Sequence, residues 1–147
     1  MRTYWKSAFA VCTLAAPLFA GALLLQVGNP AANPEALEKH AVLVARTTAC
    51  HSPERTTVTA TAEGVVNGVR KTIPLKVIPL STAGTFAVTR EWPNQGTWAV
   101  KMIATNPDYK DYATAVVVPI ERDLGQLGAV KHYFHAPTEA EVSSSLN

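Results

Sequence analysis

Cysteine is nearly missing from this chain. Its 147 residues hold two, Cys12 and Cys50, and Cys12 sits in an apolar run near the start. Once the first 32 residues are set aside, Cys50 stands alone and no intradomain disulfide can form, so packing must hold the domain. An excess of either charge is missing too. Thirteen Lys and Arg stand against eleven Asp and Glu, and both basic residues of the first 32, Arg2 and Lys6, lie outside the body, leaving eleven against eleven. Without a basic face to neutralise phosphates, nucleic acid is excluded as the expected partner. Catalytic signatures are absent as well. There is no G-x-S-x-G elbow, no phosphate loop and no H-E-x-x-H, nor two acids at a recognisable spacing. The sequence is therefore read as that of a non-enzyme, with a hydrolase assembled in space from Cys50, a His and an Asp as a distant third reading.

What is present begins with an address. Arg2 and Lys6 precede eighteen uncharged residues, Ala8 to Leu25. A positive start followed by an apolar segment is the plan of a bacterial export signal. Residues 1–32 are read as a signal peptide cut near Ala32, with a membrane tether retained through residues 8–25 as the alternative. Cutting after Ala22 satisfies the small-x-small rule through Ala20 but leaves Leu23, Leu24 and Leu25 at the mature end, whereas cutting after Ala31 or Ala32 places Asn29 or Pro30 at the third position back. Pro17 in mid-run would kink a permanent transmembrane helix and favours a transient signal. The working part is then periplasmic or extracellular, and about 115 residues suffice for one domain.

The body announces strands. Asn67-Gly68 is the preferred two-residue type I′ turn, because both central positions need positive φ. Pairing Val66 with Val69 sets Ala62 opposite Ile73, Ala60 opposite Leu75 and Val58 opposite Val77 on one apolar face. Glu63 then meets Thr72, Thr61 meets Pro74 and Thr59 meets Lys76 on the polar face. A slip of one residue would destroy this sorting. Pro74 and Pro79 place the second strand at an edge or bend it, since proline cannot donate to a ladder.

Period-two alternation continues elsewhere. Phe86, Val88 and Trp92 share a side, with Arg90 the exception. After the turn Pro93-Asn94-Gln95-Gly96, residues Trp98, Val100, Met102 and Ala104 share another. Pairing those two strands would set Trp92 opposite Trp98. Ala41–Thr48 and Ala113–Ile120 complete six strands, and Val130–Phe134 offers a short seventh. Six or seven short strands in a hundred residues read as an all-β, immunoglobulin-like antiparallel β-sandwich behind an N-terminal apolar helix. The expected layout is residues 1–32 for export, 33–39 as a linker with at most one helical turn, 40–135 as the sandwich, and 136–147 as a loose tail.

The segment Gly84-Thr85-Phe86-Ala87-Val88, followed by Trp92-Pro93-Asn94-Gln95-Gly96-Thr97-Trp98, resembles a pattern of small exported bacterial immunoglobulin-like domains of the YtkA-like type. The resemblance spans about residues 75–104. It implies a β-sandwich outside the cytoplasm, in a family sometimes linked to copper or to respiratory-enzyme assembly. No ligand set of that family maps onto this chain.

Two groups of residues carry candidate chemistry. Cys50 and His51 join thiol and imidazole, which suits a soft metal such as copper, and His132-x-x-His135 adds two imidazoles, with Met102 as a further ligand. Against this, adjacent residues on an extended chain point apart, as do i and i+3 in a strand. The second group is the loop Asn106–Tyr112, where Tyr109 and Tyr112 offer contact area to a protein or sugar partner, or one of them simply packs back on the sandwich. The leading expectation is an exported, non-catalytic binding or accessory module of the cell envelope that contacts a protein partner. A periplasmic copper-handling domain is the alternative.

Overall fold

Strands with one apolar face satisfy it by stacking two sheets face to face. The computed structural model of the protein describes residues 22–110, 112–121 and 128–146. Most of the apolar run expected to be an export segment (up to residue 21) lies outside the described residues, as do Asp111, residues 122–127 and Asn147. Among the described residues there are nine strands: β1 (Leu24–Gly28), β2 (Ala41–Thr48), β3 (Thr57–Val66), β4 (Val69–Pro74), β5 (Val77–Pro79), β6 (Thr85–Thr89), β7 (Thr97–Thr105), β8 (Ala113–Ile120) and β9 (Lys131–Tyr133). Two short helices, α1 (Pro34–Glu38) and α2 (Glu139–Ser143), accompany them. One antiparallel sheet runs β1-β2-β6-β5 and the other β4-β3-β7-β8-β9, so the molecule is an all-β sandwich. Among the described residues no helix is long and apolar enough to cross a membrane.

The Asn67-Gly68 turn forms with φ of 52° and 76°, and the register follows it. Val66 pairs with Val69, Ala62 with Ile73, Glu63 with Thr72 and Thr61 with Pro74. There the ladder stops. Beyond it Leu75 N–H still donates to Ala60 O at 2.9 Å, but Val58 does not meet Val77. Instead Val77, Ile78 and Pro79 cross over and pair with Val88, Ala87 and Phe86 in the other sheet. Two prolines within six residues deprive the strand of donors, and the chain uses that gap to change sheets.

The expected pairing of the Trp92 and Trp98 strands does not occur. β6 pairs with β2 and β5, whereas β7 lies between β3 and β8. The turn at Pro93–Gly96 is thus an arch between sheets, and both indoles enter the interior, Trp92 at 4 % and Trp98 at 3 % exposure. Arg90, the polar exception on that side, sets its guanidinium 5.5 Å from the Trp92 ring centre and donates from Nε to Trp92 O at 3.1 Å.

The interior is graded by size. On the inner side of β3, Ala60, Ala62 and Gly64 lie opposite Met102, Val100 and Trp98 of β7. Each small residue makes room for a large partner. The limit is reached at Gly64, where a Cβ would come within 2.3 Å of the Trp98 ring and 2.8 Å of Thr97 O.

Both ends of the domain extend past the expected bounds. Residues 24–28, assigned from the sequence to the export segment, form β1, pairing from Leu24↔Thr48 to Gly28↔Val44. Leu23 and Leu25 are buried in the main core while Leu24 is 42 % exposed. Residues 33–39 do more than link. Asn33 caps α1 by accepting from Ala36 N–H at 3.0 Å, and Ala36 packs with Ala41, Leu80 and Ala87 on the outer face of the first sheet. The 136–147 segment is not loose through residue 146. Thr138 and Glu141 form a capping box at the start of α2, and Val142 is buried with Ala99 and Val117 on the outer face of the second sheet.

Three substitutions test this architecture. Gly64→Ala should destabilise by about 3 kcal/mol, since neither the indole nor the backbone at Thr97 can give way freely. A urea midpoint followed by tryptophan fluorescence would read it. Leu25→Ala should cost about 3 kcal/mol and Leu24→Ala under about 1 kcal/mol, a contrast that vanishes if β1 is not part of the fold.

Candidate functional site

Antiparallel connections bring several loops to one end of the sandwich. β2 ends and β3 begins there, as β7 ends and β8 begins. The loops 49–56 and 106–112 therefore meet, although they lie more than fifty residues apart. Tyr109 joins them: its hydroxyl accepts from the backbone N–H of Cys50 at 3.0 Å and of His51 at 3.1 Å. The His51 ring stands edge-on to the Tyr109 ring at 6.4 Å. Asn106, only 3 % exposed, completes the joint. Its Nδ2 donates to Ser52 O at 2.9 Å and to Thr56 Oγ1 at 3.0 Å, while its Oδ1 accepts from Asp108 N–H at 2.9 Å. Arg55 and Asp108 add a 2.5 Å ion pair across the two loops. It is solvated and worth little energetically, but it fixes direction.

Each candidate residue can now be placed. Cys50 is a free, exposed thiol, and His51 is exposed beside it. Tyr109 is half-buried with its hydroxyl committed to the neighbouring loop. Tyr112 packs against the main core, with its ring 6.4 Å from that of Phe134. Packing of a tyrosine back on the sandwich is thus what the structure displays for Tyr112. Met102 is fully buried in the core and offers no accessible sulfur. His132 is exposed on β9, opposite Val116. His135 lies past the end of β9, and its Nε2 is within 3.1 Å of both Glu141 oxygens. Among the described residues no three or more His, Cys, Asp or Glu gather closely enough to hold a metal ion.

What these loops build is a groove of about 530 Å³, lined by Arg55, Pro107, Tyr109, Lys110, Tyr112 and His135 among others. Phe134, 63 % exposed, stands beside Tyr112 next to it. Asn106 and Arg55 carry the geometry of this end; Arg55 has no signal in the sequence, and Asn106 signals only the start of the loop. An Asn before Pro107 signals a turn, but its partners in the other loop leave no local trace.

Two acids, Glu63 and Glu141, are held low by the contacts around them. Glu63, the one charged residue buried among the described residues at 5 % exposure, lies on the outer face of β3. Its Oε1 accepts from Lys101 at 2.8 Å and Thr61 at 2.9 Å, and its Oε2 from Thr72 at 2.6 Å. Burial pushes its carboxyl up, yet the bonds from Lys101, Thr72 and Thr61 together outweigh that and hold it below the ordinary 4.5. Glu141 is also held low, by the Thr138 backbone N–H first and then by His135. Both acids are satisfied as anions, the opposite of what a general acid requires.

Comparison with protein-family models, with curated proteins and with solved structures returns no match to this chain.

Because the folded state holds Glu63 below its unfolded value, its contribution is complete above about pH 4.5 and is lost as pH falls through the lowered value. Glu63→Gln should cost about 2 kcal/mol at pH 7 and flatten the acid side of the stability profile. Urea midpoints between pH 7 and pH 3 would show the two curves converging as the pH falls.

Proposed function

We propose that the protein is an exported, non-catalytic, immunoglobulin-like module whose loop end binds another protein of the bacterial cell envelope. The order β1-β2-β6-β5 against β4-β3-β7-β8 supports the immunoglobulin-like assignment, since it matches strands A-B-E-D against C′-C-F-G, with β9 added beyond G. In that scheme the loops 49–56 and 106–112 correspond to the B–C and F–G loops, which variable domains use for recognition.

The observation that carries the reading is the joint between those loops. The Tyr109 hydroxyl and the buried Asn106 side chain hold them in one conformation next to the groove and Phe134. A surface already ordered loses less entropy on association. An exposed aromatic beside a second aromatic is the kind of anchor from which interfaces are built. Export is supported by Arg2, Lys6 and the apolar run that follows them.

The test places a photo-crosslinking amino acid at position 134, at position 110 and, as a control, at position 71 on β4, in the full chain expressed in its bacterial host. Adducts of one size from positions 134 and 110, absent from 71 and reduced by Asp108→Ala, are expected. Equal labelling from all three positions would refute the reading. Stoichiometric Cu(I) binding by the purified domain, abolished by Cys50→Ala, would replace it with metal handling.

A further inference from the structure

We infer that the chain is processed between Ala22 and Leu23, so that the mature protein begins with the first core residue of the sandwich. This rests on the export reading above. Leu23 is fully buried and Leu25 is 2 % exposed, both in the main core. Leu24 and Gln26, which alternate with them, face outward. This period-two pattern and the ladder to β2 make residues 24–28 an integral strand, so they cannot be discarded with a signal peptide or left in a bilayer.

The three processing outcomes are then unequal. A cut after Ala32 removes β1, exposes the edge of β2 and strips Leu23, Leu25 and Val27 from the core. A retained anchor must end where the sandwich starts. The fifteen residues from Ala8 to Ala22 would reach roughly 22 Å as a helix, short of the roughly 30 Å hydrocarbon layer. A cut after Ala22 leaves the fold whole. The sequence before that bond suits it: Arg2 and Lys6, then nine apolar or small residues from Ala8 to Ala16, then Pro17, then Ala20-Gly21-Ala22. That is a basic start, a core of signal-peptide length, a helix breaker and an A-x-A site. The three leucines left at the mature terminus belong to the fold: Leu23 directly precedes β1, and Leu24 and Leu25 begin it.

The step is hydrolysis of one amide by a signal peptidase. Water adds across the Ala22–Leu23 bond, Ala22 leaving with a carboxylate and Leu23 with a free α-amino group. Because Leu23 is buried once the domain folds, the bond is cut while the chain is still extended at the membrane.

The test expresses the full chain with a C-terminal tag in a bacterium, separates cytoplasm, membrane and periplasm, and reads the intact mass. A mature mass starting at Leu23 is expected, unchanged by Ala32→Leu but lost in Ala22→Leu, which should leave the uncut precursor in the membrane fraction. A start at Asn33 would overturn the inference and leave export standing, as would uncut wild-type chain in the membrane fraction. Uncut wild-type chain in the cytoplasmic fraction would overturn export itself.

Discussion

The close approach of the Trp98 indole to Gly64 is the constraint on which much of this sandwich depends. With no side chain at 64, the ring lies on the β3 backbone, and its Nε1 donates to Gln95 O at 2.7 Å. That bond fixes the arch from β6 to β7. The same arch presses Gly96, at φ 90°, against β3, where a Cβ would stand 2.5 Å from Val65 O. One aromatic therefore fixes the end of the β3–β4 hairpin, the crossing between sheets and the position of β7. The graded pairs Ala62↔Val100 and Ala60↔Met102 continue its logic along the strand. Among the described residues Cys50 is free, and this interlock of small and large residues is how the sheets keep their spacing.

Local chemistry was legible in the sequence and long-range partnership was not. Asn67-Gly68 dictates a turn by its own backbone preferences, and counting outward from it yields the right register as far as Pro74. The alternation of Trp98, Val100, Met102 and Ala104 likewise names the buried side of β7. Neither signal says which strand lies alongside. A short turn between two alternating strands suggests a hairpin, yet Pro93–Gly96 bridges the sheets instead, because β7 finds β3 and β8. The helix at Glu139–Ser143 was hidden for a similar reason. Its single buried apolar residue, Val142, gains meaning only from Ala99 and Val117 beneath it.

At the loop end the same division holds. Cys50, His51, Tyr109 and Tyr112 could be picked out by residue type, but as two unrelated groups with different expected roles. Folding merges them: the Tyr109 hydroxyl is spent on the Cys50 and His51 backbone, and Tyr112 on the core. The side chains that attracted attention as contact groups are largely the scaffold of the site, and what they leave at its surface is Phe134 and the groove beside it. A tyrosine that satisfies two loop N–H groups through one oxygen replaces solvent as their partner, which lets the loops hold a fixed shape without regular structure.

The N-terminus shows why one apolar stretch supports two readings. Entry into a bilayer and entry into a protein core select the same side chains, since both remove hydrocarbon from water. Hydropathy therefore runs unbroken from Ala8 to Leu25, and nothing in it separates the two roles. Geometry does. A membrane-directed run is apolar on every side, whereas Leu23 and Leu25 turn inward while Leu24 and Gln26 turn out. Alternation begins at Leu23, one residue before β1. Pairing of Leu25 with Thr47 and of Val27 with Ala45 then makes the first strand depend on the second. On the export proposed above, this sheet closes only after the chain has left the membrane.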